Sequence, residues 1–215
     1  MPTQKLAGFF SDRKPLFYKK HEIILRADTP PPGVFYLKKG YVRDFSVSKD
    51  GEELSLVVFK PGDFFPFQWI LNDKLDFHNL EAMTSVELFR APKEDFIAFL
   101  KKDPDILFSS IQEIVSRLGG LMDRMEHLVF GNAYERVASI IFILAERFGY
   151  REDGMIMIPM PISHRCLASL VGMTRETVSV EMKRLEKKGL IINKGRFVYI
   201  QNLPLLQKES LVESK

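Results

Sequence analysis

The apolar positions of this chain change their period once, in the neighbourhood of Pro92. Upstream, from His21 onward, they form short runs rich in β-branched and aromatic residues, broken by glycine, proline and Asp-Gly pairs. That is the signature of strands and turns. Strands are expected over 22–26, 33–38, 40–47, 53–59 and 82–90. The Asp-Gly pair of Lys49-Asp50-Gly51-Glu52 predicts a hairpin, and Pro61-Gly62-Asp63 a second turn. Many short strands with regular turn signals predict a sandwich or barrel.

Downstream the period is helical. Ala91-Pro92-Lys93-Glu94-Asp95 is a helix-start pattern, so a short helix is expected over 94–101, and Asp103-Pro104 opens a longer one. The longer helix places Leu107, Ile111, Ile114, Leu118, Leu121, Met125 and Leu128 at alternating spacings of four and three. Such a/d spacing over three heptads predicts a coiled-coil seam, with Gly119-Gly120 as an interruption. Phe130-Gly131-Asn132 ends it, which makes Gly131 the expected hinge. Asn132 and Glu135 have the spacing of a capping box for a helix with Val137, Ile140, Ile141, Leu144 and Phe148 on its inner stripe. A polar turn over 150–154 and a short strand over 155–159 follow.

Residues 163–193 have the layout of a helix-turn-helix and the start of a wing. Ser163 is a good N-cap for a helix over 164–171, and Gly172 tolerates the left-handed C-cap that breaks it. Thr174 caps a second helix from Arg175 to about Lys188, with Val178, Met182 and Leu185 turned inward. A β-hairpin is expected from 190–193, the Lys194-Gly195 turn and 196–200, then one amphipathic turn around 203–206. In a helix pair with a short glycine turn the second helix is the reader of DNA. Its outer face carries Arg175, Glu176, Ser179, Val180, Lys183 and Arg184. Arg175 can pair guanine bidentately, Glu176 can accept from cytosine N4, and the other cations suit phosphates. Between residues 163 and 200 eight basic residues face three acidic ones, an excess of five. The whole chain carries only +3, so positive charge is concentrated where phosphate contact would need it.

Composition adds a compartment and some exclusions. The 215 residues allow two ordinary domains, and 46% hydrophobic with 27% charged residues is a soluble composition. No apolar run approaches the roughly 20 residues of a membrane span, and the first 20 residues lack the apolar core of a secretory signal. A lone Cys166 excludes an internal disulfide and fits a cytoplasmic location. His21, His127 and His164 have no ligand spacing, so no metal site is expected. No paired carboxylates, nucleophile–base set or phosphate loop stands out, so an enzyme is not expected.

The run LASLVGMTRETVS, followed by a basic helix and GLI, resembles the DNA-binding half of the Crp/Fnr family of bacterial transcription regulators. The order of elements extends that resemblance over nearly the whole chain. It implies an α+β fold. A double-stranded β-helix (jelly-roll) sensor domain of the cyclic-nucleotide-binding type would span 1–104. A dimerisation helix and hinge would span 105–131, and a winged helix-turn-helix domain 132–215. It also implies a homodimer on a near-palindromic DNA operator, with RNA polymerase as a further partner. The DNA-contacting set would be Ser163, His164, Thr174, Arg175, Glu176, Thr177, Ser179, Val180, Lys183, Arg184, Lys194 and Arg196. One departure concerns the position after Ser179, where the family usually carries a basic residue that contacts guanine. Here it is Val180, which offers only an apolar face, for instance to a thymine methyl.

The effector is less legible. In cyclic-nucleotide binders of the family, a Gly-Glu pair at a short helix start takes the ribose and a following Arg-Ser or Arg-Thr pairs the cyclic phosphate. The corresponding positions here read Gly62-Asp63 and Asp76-Phe77, with Lys74 the only nearby base. An acid where phosphate should sit is repulsive, so cyclic AMP is not expected. Phe64, Phe65, Phe67, Trp69 and Phe77 leave two readings. One is an apolar effector pocket for a flat ligand or haem, with His78 or a methionine as ligand. The other, favoured by the general burial of aromatic stripes, is ordinary core. An oxygen-labile iron–sulfur cluster would need several cysteines.

Overall fold

Two faces of one strand set the architecture of the N-terminal half. In β3 (Val34–Lys39) the first four residues are all buried. Phe35 and Leu37 join one apolar cluster, while Val34 and Tyr36 join another on the opposite face. A strand covered on both sides shows a continuous apolar run rather than alternation. Around it, the computed structural model describes residues 2–74 and 78–212, in two compact units, Met1–Leu118 and Gly119–Lys215.

In the first unit, α1 (Pro2–Phe10) precedes β1 (Pro15–Tyr18), β2 (Ile23–Leu25), β3, β4 (Val42–Val47) and β5 (Glu53–Phe59). Then come β6 (Phe64–Phe65), α2 (Phe67–Asn72), β7 (Asn79–Ala82), β8 (Val86–Ala91) and α3 (Lys93–Lys102). Two antiparallel four-stranded sheets form, in the orders β1-β8-β3-β6 and β2-β7-β4-β5. Apart from the β4–β5 hairpin, each strand alternates with the next between the two sheets, which is the double-stranded β-helix. Phe35, Leu37, Val42, Phe59, Phe65, Leu80 and Leu88 fill the space enclosed by the strands. Phe10, Tyr36, Phe64, Phe89, Phe96 and Ile106 form the second cluster, which joins β3, β6 and β8 to α1, α3 and the next helix.

The strand expected over 82–90 is in fact two. β7 ends at Ala82, and β8 starts at Val86 in the other sheet. Two hydrogen bonds hold the crossing: Met83 N donates to Tyr41 O at 2.9 Å, and Tyr41 N to the Thr84 side-chain Oγ1 at 3.0 Å. Gly40 makes that approach available. Its φ is +92°, and a Cβ there would lie 2.5 Å from Ser85 O. The chain before β1 had no expected element; it supplies α1, whose Leu6 and Phe10 are core.

α4 (Pro104–Phe130) is unbroken through Gly119-Gly120, at which nothing lies within 4 Å of an added Cβ. The second unit begins at Gly119, so the division falls in this helix, whereas Gly131 was the expected hinge. Gly131 is packed: a Cβ would lie 2.6 Å from Leu211 Cδ1 and 2.7 Å from His127 O. α5 (Ala133–Phe148) starts with the full capping box, Glu135 N donating to Asn132 Oδ1 and Asn132 N to Glu135 Oε2, both at 3.0 Å. Val137, Ile140, Ile141, Leu144 and Phe148 are buried. The expected polar turn over 150–154 is partly strand: β9 (Tyr150–Glu152) pairs with β10 (Met155–Met157), the reversal using Asp153 and Gly154 at positive φ. α6 (His164–Val171) and α7 (Arg175–Lys187) lead to β11 (Ile191–Lys194), β12 (Phe197–Ile200) and α8 (Leu203–Lys208). The sheet order is β11-β12-β10-β9.

Candidate nucleic-acid interface

α6 and α7 each begin at a side-chain cap. Cys166 N donates to Ser163 Oγ at 3.1 Å, and Thr177 N to Thr174 Oγ1 at 3.2 Å. Between them Gly172 sits at φ 62°, ψ 45°, the left-handed C-cap. Val178, Met182 and Leu185 bury one face of α7, each at 1% exposure or less. The opposite face keeps Arg175, Glu176, Val180, Lys183 and Lys187 in solvent. Val180 is 62% exposed, a large apolar group on a polar helix face. Ser163 and Thr174 are exposed, and His164, Thr177 and Ser179 half-buried.

The structure separates the cations into groups. Arg175 and Lys183 lie on the open face of α7. Arg184 also lies at the surface, but its guanidinium stands 4.4 Å from the centre of the buried Tyr134 ring and 3.6 Å from Glu181 Oε2. Lys188 Nζ is 4.7 Å from the same ring and 2.6 Å from Glu209 Oε2. The Glu209 and Tyr134 hydrogen bonds raise the Lys188 pKa, and Lys188 in turn lowers that of Glu209. These two cations therefore tie α7 to α5 and to the end of α8. At the wing, Lys194 lies 4.6 Å from the Tyr199 ring and Arg196 5.6 Å from Phe197. Both remain exposed at the hairpin tip.

Two further residues, not singled out in the sequence, hold the reader. Glu186 Oε1 on α7 accepts from Asn193 Nδ2 at 2.8 Å and from Asn193 N at 3.3 Å, fastening the wing to the reader helix. Arg124 Nη2 donates to Leu170 O at 2.7 Å, at the C-terminal turn of α6.

In the first unit the candidate effector residues are placed as follows. Phe64 and Phe65 are 6% and 0% exposed and belong to the two cores. Phe67 and Trp69 pack half-buried against them, and Lys93 Nζ lies 4.8 Å from the Trp69 ring. His78 Nδ1 is 3.2 Å from Asp44 Oδ1. Asp76 and Phe77 lie outside the described residues. The short helix α2 starts at Phe67, so Gly62-Asp63 sits upstream of it, before β6, and not at a helix start. This corrects the expected correspondence with the Gly-Glu pair. Asp63 is instead committed to the protein itself: its carboxylate accepts from Lys60 N at 2.8 Å and pairs Arg117 Nη2 at 2.8 Å. Arg117 also stands over the Phe59 and Phe67 rings.

Along α4 the expected seam is partly drawn into the chain's own cores. Leu107 packs against the second cluster of the first unit, and Leu128 lines a small void beside Ile140 and Leu170 in the second. Leu107, Ile114, Leu121 and Leu128 are half-buried, while Ile111, Leu118 and Met125 are exposed. The exposed apolar set is Phe108, Ile111, Val115 and Leu118, then Met122, Met125 and Val129, with Phe130 beside it at the helix end. Its spacing is again three and four, so the open seam is displaced by one residue at every second position.

Among the described residues, no helix is long and apolar enough to cross a membrane. Comparison with known proteins adds the family. A model of the cyclic nucleotide-binding domain matches residues 15–103, and a model of the Crp-like helix-turn-helix domain matches 135–209. A global nitrogen regulator of Nostoc sp. is 28% identical over 176 residues, 81% of this chain and 79% of its own length. The transcriptional regulator SdrP of Thermus thermophilus is 27% identical over 206 residues, 94% of this chain and 96% of its own. The solved structure of a CRP/FNR-family transcriptional regulator, also from Thermus thermophilus, superposes with a TM-score of 0.72 at 25% identity, covering 91% of this chain and 97% of that one. FixK2 of Bradyrhizobium japonicum shares the fold, with a TM-score of 0.79 at 23% identity over 94% and 99% of the two chains. With a jelly-roll of the cyclic nucleotide-binding type ahead of a Crp-like helix-turn-helix, the chain belongs to the Crp/Fnr family of transcription regulators.

Proposed function

We propose that the protein acts as a homodimer that binds a near-palindromic DNA operator and that an effector other than cyclic AMP controls it. The observation that carries the DNA reading is the open face of α7, where Arg175, Glu176, Val180 and Lys183 stand clear of the core. In this reading Arg175, Glu176, Ser179 and Val180 meet base edges. Ser163, His164, Thr174, Thr177 and Lys183 hold the backbone, as do the wing residues Lys194 and Arg196. Arg184 reaches phosphate only from its place over Tyr134. Two copies of the exposed stripe on α4 pair as a parallel coiled coil, which sets two readers about 34 Å apart for successive major grooves. RNA polymerase is the further partner, and no catalytic role is proposed.

Against cyclic AMP stands Asp76-Phe77 in the sequence, where an arginine would pair its phosphate. The regions 1–104, 105–131 and 132–215 serve as sensor, dimerisation helix with hinge, and DNA-binding domain. Selection from a random DNA pool followed by gel-shift titration at several salt concentrations tests the reading. A shift that depends on a two-fold-related sequence is expected. Equal, salt-labile binding to every duplex would show that the chain is not a specific reader.

A further inference from the structure

The first unit holds α4 as far as Arg117, and the second holds it again from Arg124. Ile106 belongs to the apolar core of the first unit and is 1% exposed. Arg117 is buried, its Nη2 2.8 Å from Asp63 Oδ1 and its guanidinium over the Phe59 and Phe67 rings. Downstream, Arg124 Nη2 donates to Leu170 O at 2.7 Å. That carbonyl is one of the last four of α6, which have no partner within their own helix, and a cation there also meets the negative end of the helix dipole. His127 is buried, and Leu128 lies beside Ile140 and Leu170. Between the two arginines, none of residues 118–123 is buried.

Gly119 and Gly120 stand in that interval, inside a helix of 27 residues. Glycine loses more backbone freedom than any other residue when it is fixed in a helix, so an adjacent pair is where α4 bends at least cost. Nothing lies within 4 Å of a Cβ added at either position, so no packing inside the chain calls for glycine there. Pairing of two copies does not call for it either. At about 100° per residue, Gly120 lies on the side of α4 opposite Val115, Leu118 and Met122, and Gly119 at the margin of that stripe. The α4–α5 corner is locked by contrast. Arg136 Nε donates to Gly131 O at 2.8 Å, a Gly131 Cβ would lie 2.6 Å from Leu211 Cδ1, and Leu211 N donates to Ser139 Oγ at 2.9 Å.

We propose that α4 pivots at Gly119-Gly120, and that residues 121–130 travel with the reader as one body, with Arg124 positioning α6 and α7 on the dimer helix. An effector that bends or straightens α4 at the glycine pair changes the separation of the two readers and leaves the α4–α5 corner intact. This rests on the proposed control of a dimeric DNA reader. The pivot itself is measured without DNA, so the two can fail separately.

Hydrogen exchange on the full chain, read by mass spectrometry, tests the pivot. Amides over 120–124 should be about tenfold less protected than those over 127–131. Gly119→Ala combined with Gly120→Ala should remove that difference, because both methyls enter open space, and should leave the dimer unchanged in sedimentation. Faster exchange at the α4–α5 corner, or no slowing in the double variant, would overturn the proposal. So would loss of the dimer in that variant, which would assign the glycines to helix pairing. Arg124→Met keeps the length of the side chain and removes the donor. It should weaken binding to the selected operator about tenfold, with unchanged binding to a duplex that carries one half-site. Equal loss on both duplexes would make Arg124 a general structural contact and overturn its positioning role.

Discussion

At Val180 a single side chain decides what the reader helix can recognise. It is 62% exposed on a face otherwise made of Arg175, Glu176 and Lys183. An apolar group there can touch a thymine methyl but cannot donate to guanine. Val180→Arg should move the selected half-site toward guanine at one position, with a change of about 1–3 kcal/mol in discrimination, read by competitive gel shift. Val180 was visible in the sequence because its place follows from helical spacing. Arg117 was not, since its partner Asp63 lies on a distant turn. Arg117→Ala removes one half of a buried pair and should cost about 3–5 kcal/mol in denaturant unfolding. His127 is buried, and burial lowers its pKa below the ordinary 6.5 despite the opposing pull of Asp123 and Glu126. A histidine held neutral binds fewer protons folded than unfolded in this range. Its contribution is therefore complete above 6.5 and falls as pH drops below that value. Melting temperatures across this range should decline in the native protein, and less steeply in His127→Leu.

Among the elements, α4 shows best how much a pattern leaves open. The heptad spacing predicted a seam, and helical periodicity was right for the whole span of Pro104–Phe130. Two overlapping stripes satisfy that spacing, one through Leu107 and Leu128, the other through Phe108 and Val129. The two units draw in Leu107 and Leu128 and half-bury Ile114 and Leu121, while the second stripe, which shares Ile111, Leu118 and Met125 with the first, stays in solvent. Val115→Glu should thus break the dimer at micromolar concentration in sedimentation, while leaving the monomer folded. The same change at half-buried Ile114 should instead lower thermal stability. The wing offers a second case. Its hairpin was legible from the Lys194-Gly195 turn, but its attachment to α7 by Glu186 and Asn193 was not. Glu186→Ala should weaken operator binding without altering which bases are preferred, because it loosens phosphate contacts rather than base contacts.

For the molecule as a whole, the proposed two-fold arrangement ties operator spacing to the dimer. Adding about five base pairs between the half-sites turns one of them to the far side of the duplex. Gel-shift affinity should then fall to the non-specific level, and a further five should restore part of it. The type and order of the elements could be read from the chain alone. Caps, turns and amphipathic stripes are made by residues three or four apart, as at Asn132–Glu135 and Ser163–Cys166. The division of 82–90 between two sheets, the burial of Phe64 and Phe65, the Asp63–Arg117 pair and the open stripe of α4 were decided only in the tertiary structure. Each depends on which distant surface meets a given side chain, and periodicity, which counts only along the chain, carries no record of that.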